Sequence, residues 1–260
     1  MKISKTSFSW EEAILEAIRQ LGGTATIVEL YKVVPQIRTV PTGKDWKRII
    51  RAFLKRLYKE KEILRKVGLG IYALPEATTK ISIYEQIQRG ENTAKIFRNI
   101  PDEQIHSYVE GMLVELGNIN GYLTYTYDGN AIFNEKPLSA LTTLENFPQF
   151  ALPEIVDEAK RIDVIWFSRR MIPKHTFDVE KTPEFKRAFL RAYQLRDFRT
   201  AFYFTAFEKN RNRWEKIINL EPYDEVKHLF HFRSFEEVFQ FYQIAIKLEE
   251  IRETFIVKIE

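Results

Sequence analysis

In the N-terminal third of the chain, apolar side chains recur every three or four positions, the spacing of one helix face. Ser9-Trp10-Glu11-Glu12 is a capping box, and Trp10, Ile14, Ala17, Ile18 and Leu21 follow until Gly22-Gly23 stops the run. Thr26-Ile27-Val28-Glu29 repeats the signature and opens a second, short helix that Pro35 is expected to end. A third begins near Thr42 and carries Trp46, Ile49, Ile50, Phe53, Leu54 and Leu57 as one stripe. Ile63 to Leu74 then reads as two short strands around Gly68 and Gly70.

Beyond Glu76 the pattern weakens, and Glu76 to Gln104 reads as a linker, partly helical at Ile83 to Gln88. Pro101-Asp102 opens a helix to Gly117 with Ile105, Val109, Met112, Leu113 and Leu116 on its buried side. The period then falls to that of strands: Gly121 to Tyr127, Ile162 to Phe167, His175 to Glu180 and Thr200 to Phe207 are rich in β-branched and aromatic residues. Ala131 to Glu158 has no clear period and reads as an insertion. Amphipathic or basic helices are predicted at Pro183 to Phe198 and Lys209 to Leu220, a last strand at Lys227 to Arg233, and a closing helix from Ser234 to about Glu253. The fold class is α/β in the α+β sense, with domains at 1–76 and 101–260 joined by the linker 77–100.

Charge sharpens this division. The chain carries a formal +4, but Met1 to Lys80 holds +8, leaving −4 for the remainder. A basic first domain points to an anionic partner, nucleic acid above all. Lys44, Lys47, Arg48, Arg51 and Lys55 lie opposite the apolar stripe of the third helix, and Arg65 and Lys66 sit on the following hairpin. Three helices and a glycine-turned hairpin resemble a winged-helix DNA-binding domain, which implies that these seven residues contact DNA. The alternative is a solvated helix face or a protein-docking module.

The absence of cysteine excludes disulfides, thiolate zinc sites and cysteine nucleophiles. No run resembles a signal peptide or a membrane span, so a cytoplasmic, membrane-free protein is expected. P-loop, GxGxxG, HExxH and GxSxG motifs are all lacking.

The candidate chemistry lies in Arg161 to Thr182, RIDVIWFSRRMIPKHTFDVEKT, where Asp163, Asp178 and Glu180 interrupt otherwise apolar strands. Carboxylates are depleted in strands and rarely buried without compensation. Residues two apart share a face, so Asp178 and Glu180 emerge together, and pairing of the two strands as a hairpin brings Asp163 to them. Carboxylates that close repel unless a cation lies between them, and hard divalent ions prefer such oxygen surroundings. The alternative is ordinary strand-edge acids paired with Arg161 or Lys174.

These residues resemble the PD-(D/E)xK nuclease superfamily over roughly His106 to Phe207. In the resemblance Asp163 is the first acid, Asp178 the second, and Glu180 takes the place usually held by lysine, with Lys181 one residue on. It implies a restriction-endonuclease-like mixed sheet flanked by helices, with Asp163 and Asp178 as metal ligands and Mg²⁺ as cofactor, replaceable by Mn²⁺. It further implies a type II restriction-like endonuclease, cutting double-stranded DNA as a homodimer in a prokaryotic cytoplasm. The first core helix often adds an acid, here Glu110, with Glu115 on the opposite flank as the alternative. Arg191 matches a position where the superfamily often has a basic residue. His106 reads as a helix-surface or substrate-facing residue rather than a metal ligand, because no second histidine is near. The competing function is a non-catalytic DNA-binding regulator or targeting subunit with a degenerate nuclease fold, favoured by the glutamate in the lysine position.

Overall fold

A computed structural model of the chain describes residues 8–43, 45–78, 80–181 and 185–255. Lys44, Thr182 and Pro183 lie outside them. The chain divides into two compact units, Met1–Gly90 with Asn134–Lys136, and Glu91–Phe133 with Pro137–Glu260. The division falls within the stretch read as a linker.

In the first unit, α1 (Trp10–Gln20) and α2 (Ile27–Ile37) each begin with a complete capping box, Ser9 with Glu12 and Thr26 with Glu29. Between them β1 (Thr24–Thr26) forms a strand that the sequence had offered only as a helix start. Pro35 does not end α2: the helix runs to Ile37, where the Arg38 N–H closes on the Val34 carbonyl at 3.0 Å. This proline sits in the last turn, so the donor it lacks interrupts little further helix. Next come α3 (Asp45–Lys59), β2 (Arg65–Lys66), β3 (Ile71–Ala73) and α4 (Ile83–Gln88). The strands form an antiparallel sheet in the order β1-β3-β2. Ile14, Ile18, Leu30, Val34, Ile50, Leu54 and Leu57 close the core, so the predicted stripe of α3 does face inward.

The second unit contains α5 (Thr93–Arg98), α6 (Ile105–Ile119) and β4 (Leu123–Thr126); in the short hairpin of β5 (Ile132–Phe133) and β6 (Lys136–Pro137) that comes next, Ile132, Phe133 and Pro137 belong to this unit and Lys136 to the first. They are followed by α7 (Leu138–Leu141), α8 (Pro153–Ala159), β7 (Val164–Phe167), β8 (Pro173–Val179), α9 (Phe185–Gln194), β9 (Ala201–Ala206), α10 (Arg211–Ile218), β10 (Phe230–Ser234) and α11 (Phe235–Phe255). The sequence read as an unpatterned insertion thus holds short elements, too brief to show a period. Five strands form a mixed sheet in the order β10-β9-β8-β7-β4. β4, β7 and β8 pair antiparallel, whereas β8, β9 and β10 pair parallel, the step from β8 to β9 being made by α9.

Layers on the two faces complete the unit. Ile165, Phe167, Phe202 and Phe204 pack with Phe185, Phe189 and Ala192 of α9 on one face. On the other, α6 approaches so closely that a Cβ on Gly117 would fall 2.6 Å from Trp166 Nε1, and that indole donates to the Leu113 carbonyl at 2.9 Å. Only glycine admits this contact, which fixes the register of α6 against the sheet. Among the described residues no helix is long and apolar enough to cross a membrane.

Candidate active site

The two aspartates reach the site through strand register. Val164 pairs with Phe177 and Asp178 with Phe204, so Asp178 shares the sheet face that α9 covers. Asp163, immediately before β7, accepts the Val179 N–H through Oδ2 at 2.6 Å, which ties it to the end of β8. The Glu180 N–H donates to the Thr205 carbonyl at 2.8 Å, carrying β8 pairing one residue further and orienting the third acid.

Arg191 of α9 supplies the cation for Asp178. Its Nε lies 3.1 Å from Asp178 Oδ1, its Nη2 bonds the same oxygen, and Glu180 Oε1 is 4.0 Å away. Asp178 is therefore paired with Arg191 rather than with Arg161 or Lys174. A fully buried carboxylate takes this partner because leaving it alone costs several kcal/mol, roughly.

α6 contributes a second couple. His106 Nδ1 lies 3.4 Å from Glu110 Oε2, while its Nε2 lies 2.9 Å from the Val179 carbonyl and 3.9 Å from Asp163 Oδ2. Glu110 is 0% exposed and both its carboxylate oxygens lack a hydrogen-bond partner. Glu115, on the opposite flank, accepts the Tyr242 hydroxyl at 2.5 Å. Glu110 is thus the α6 acid beside Asp163, and Glu115 is tied to α11.

Burial and mutual repulsion raise the carboxyl pKa values throughout. Asp163 is pushed up to about 6, by burial and then Glu110, against the Val179 N–H. Asp178 rises to about 7, burial outweighing the Arg191 guanidinium. Glu180 rises to about 7 by burial, Asp178 and Asp163. Glu110 is raised chiefly by burial. His106 reaches about 9: burial opposes its charge, but Glu110 and Asp163 hold the proton. Burial likewise opposes the Arg191 charge, and Asp178 more than restores it.

These groups open on a cleft of about 710 Å³ lined by His106, Asp163, Glu180, Arg161, Arg187 and Arg191, with Tyr127 and the Val179 backbone at its side. Asp178 and Glu110 are buried and are not among the residues that line it. His106, Glu110 and Asp163 each place a donor atom within 4.8 Å of the others, a grouping able to hold a metal ion. Glu110 is buried with no hydrogen bond of good geometry and with the His106 ring facing it, so the site fits a cation.

The family model described as the type II restriction enzyme NmeDI C-terminal domain matches residues 87–260. The chain belongs to this family. The match spans the mixed sheet and all the acids above, so the candidate site lies wholly within the NmeDI C-terminal-type region. No curated protein and no solved structure matches the chain.

Of the residues assigned to DNA from sequence, Lys47, Arg48 and Arg51 are exposed on α3 and Lys55 is half-buried. Arg51 Nε donates to Tyr31 Oη at 2.6 Å, and Lys47 lies over the rings of Tyr31 and Trp46. Lys44 lies outside the described residues. The hairpin differs from expectation. Lys66 is only 3% exposed, with its ammonium over the rings of Tyr72 and Tyr84. Arg65 is held by both Glu85 oxygens, at 2.8 and 2.9 Å, and by the Thr78 and Lys80 carbonyls. Lys66 is buried between Tyr72 of β3 and Tyr84 of α4, whereas Arg65 keeps 24% of its side chain exposed and commits its guanidinium to Glu85 of α4 and two carbonyls.

Proposed function

We propose that the chain is a divalent-metal-dependent endonuclease of the type II restriction kind, hydrolysing phosphodiester bonds in double-stranded DNA. The observation that carries this reading is the meeting of two carboxylates, Asp163 and Glu180, with three arginines in one cleft. Guanidinium groups suit phosphates, and a nuclease needs cations for the substrate beside acids for the chemistry. Family membership supports the same activity. The site reads as a PD-(D/E)xK centre with Asp163, Asp178 and Glu180, the last replacing lysine.

Mg²⁺ or Mn²⁺ is the proposed cofactor, held by Asp163 and Glu110, with Asp178 committed to Arg191. When bound, such an ion lowers the pKa of its water and neutralises charge on the phosphate. Glu180 faces the cleft with a carboxyl near neutrality, the range suited to taking a proton from an attacking water. Arg191, Arg161 and Arg187 line the same cleft, and on this reading Arg191 would stabilise charge on the phosphate while Arg161 and Arg187 position the strand.

The first unit reads as a winged-helix domain that grips the duplex through Lys47, Arg48, Arg51 and Lys55. Its order of three helices and an antiparallel sheet supports this reading. A double-strand cutter needs two centres, so a homodimer is proposed. The closing helix carries exposed Phe241, Ile244, Leu248 and Phe255 at heptad-like spacing, an apolar stripe suited to a second copy. Ile244→Glu with Leu248→Glu should shift sedimentation to the monomer, and an unchanged dimer would rule this face out.

A second reading is favoured by one observation: Asp178 is already neutralised by Arg191, and no lysine follows at position 180. On that reading the chain is a DNA-binding regulator or targeting subunit with a silent site. Plasmid cleavage with Mg²⁺ or Mn²⁺, with and without EDTA, on methylated and unmethylated DNA, decides between them. Chelator-sensitive fragments lost in Asp163→Asn and Asp178→Asn support the nuclease. Cutting by either variant at the wild-type rate rejects the site, and salt-sensitive DNA retention without any cutting favours the silent form.

A further inference from the structure

The acids of this site are not equivalent, and their partners sort them. Asp178 is occupied by Arg191 through both Nε and Nη2. Asp163 has one oxygen on the Val179 N–H and keeps the other. Glu110 is fully buried and neither oxygen makes a hydrogen bond of good geometry; the group that faces it is His106 Nδ1, 3.4 Å from Oε2. A carboxylate in that state needs a positive charge close by.

His106 is arranged to share such a charge. It lies four residues before Glu110 on α6, so the two side chains are neighbours on one flank. The Val179 carbonyl can only accept a hydrogen bond, so His106 Nε2, 2.9 Å away, carries a proton and donates it. Nδ1 faces Glu110 Oε2 at 3.4 Å, and a metal ion bound there would take the place of the Nδ1 proton. A ring nitrogen anchored on a backbone carbonyl while the other faces acids is how metal-bound histidines are commonly held.

We infer that His106 Nδ1, Glu110 and Asp163 together form a divalent-metal site in which imidazole is a direct ligand and Asp178 is not. This rests on the metal-dependent reading of the cleft. An all-oxygen site suits Mg²⁺, whereas one nitrogen with two carboxylates shifts preference toward Mn²⁺, Co²⁺ or Zn²⁺. The ion would sit on the α6 side of the acids, leaving Arg191 free to remain on Asp178 and Glu180.

The test is electron spin-echo envelope modulation of Mn²⁺ bound to the full chain, with affinity measured by titration against free Mn²⁺. Wild type should show nitrogen coupling to the ion, and His106→Gln should lose it, with Mn²⁺ affinity falling at least about tenfold. Asp178→Asn, which leaves all three ligands in place, should keep the nitrogen coupling. Circular dichroism of His106→Gln in the absence of metal guards against a folding defect in that variant. The inference is overturned if Mn²⁺ binds without nitrogen coupling, if coupling survives in His106→Gln, if Asp178→Asn abolishes binding, or if Mn²⁺ fails to bind at millimolar concentration. Plasmid cleavage separates the two readings. Cutting without nitrogen coupling rejects this site and spares the nuclease, whereas coupling without cutting does the reverse.

Discussion

Removing Arg191 tests the charge balance of the site through stability alone. Arg191→Met keeps much of the apolar stem against α9's neighbours but leaves Asp178, 2% exposed, without its cation. Loss of one partner of a buried pair costs about 3–5 kcal/mol. A domain of this size moves about 2–4 °C per kcal/mol, so unfolding at pH 8 in EDTA should fall by roughly 6–20 °C. The deficit must depend on pH. Asp178 already titrates near 7 with the arginine present, and its removal raises that value further. At pH 5 the carboxyl is neutral in the variant, and the loss should shrink to about 1–2 kcal/mol, that of a buried group short of a hydrogen bond. Thermal unfolding by circular dichroism at both pH values, with Asp178→Asn and the double variant completing a cycle, measures the coupling. A deficit equal at pH 5 and pH 8, or below about 1 kcal/mol at pH 8, would refute the view that Arg191 is the counter-charge of Asp178.

The metal-free wild type should itself lose stability with rising pH. Asp163, Asp178 and Glu180 have folded pKa values of about 6, 7 and 7, above their ordinary range, so between about pH 4 and 7 the folded chain binds more protons than the unfolded one. His106, at about 9, extends the same sign from 6.5 upward. A plot of unfolding temperature against pH in EDTA that is no flatter for Asp178→Asn than for wild type would contradict this. Glu115→Gln should cost about 1 kcal/mol through the Tyr242 bond and leave Mn²⁺ affinity unchanged, whereas Glu110→Gln should abolish Mn²⁺ binding; calorimetry reads both. Lys47→Ala and Arg48→Ala should each lower the slope of DNA affinity against log salt by about 0.9 if each meets one phosphate, whereas Lys66→Ala should leave the slope alone.

The acids were legible because they break a pattern: Asp163, Asp178 and Glu180 stand where strands call for apolar residues. Their partners break none. Arg191 is one of several cations on α9, and nothing in its spacing says that it crosses to β8. His106 was read as a helix-surface or substrate-facing residue, and it does line the cleft; its contacts with the start of β7 and the end of β8 leave no trace in the helix period. Arg65 and Lys66 were read outward from charge alone. Tyr72, Tyr84 and Glu85, which turn them inward, assemble only when α4 folds beside the hairpin. Fold elements followed the same rule. Long amphipathic helices and apolar strands were readable, but the three-residue β1 and the short pieces between β4 and β7 give too few positions for a period.

On the proposed reading, the glutamate at 180 and the arginine at 191 explain one another. The superfamily resemblance calls for a cation on the strand two residues beyond the second acid. Here that position is an acid, and a guanidinium from the next helix bonds Asp178 and lies 4.0 Å from Glu180. The strand cation is lost, and this pair of acids meets the helix cation at a position where the superfamily often has a basic residue. The glutamate itself faces the cleft with a carboxyl pushed up to about 7, able to take a proton that a lysine at ordinary pKa could not accept. Asp178 is bound to arginine, so on the inference above the donors that would hold an ion are Asp163 and, from α6, Glu110 and His106.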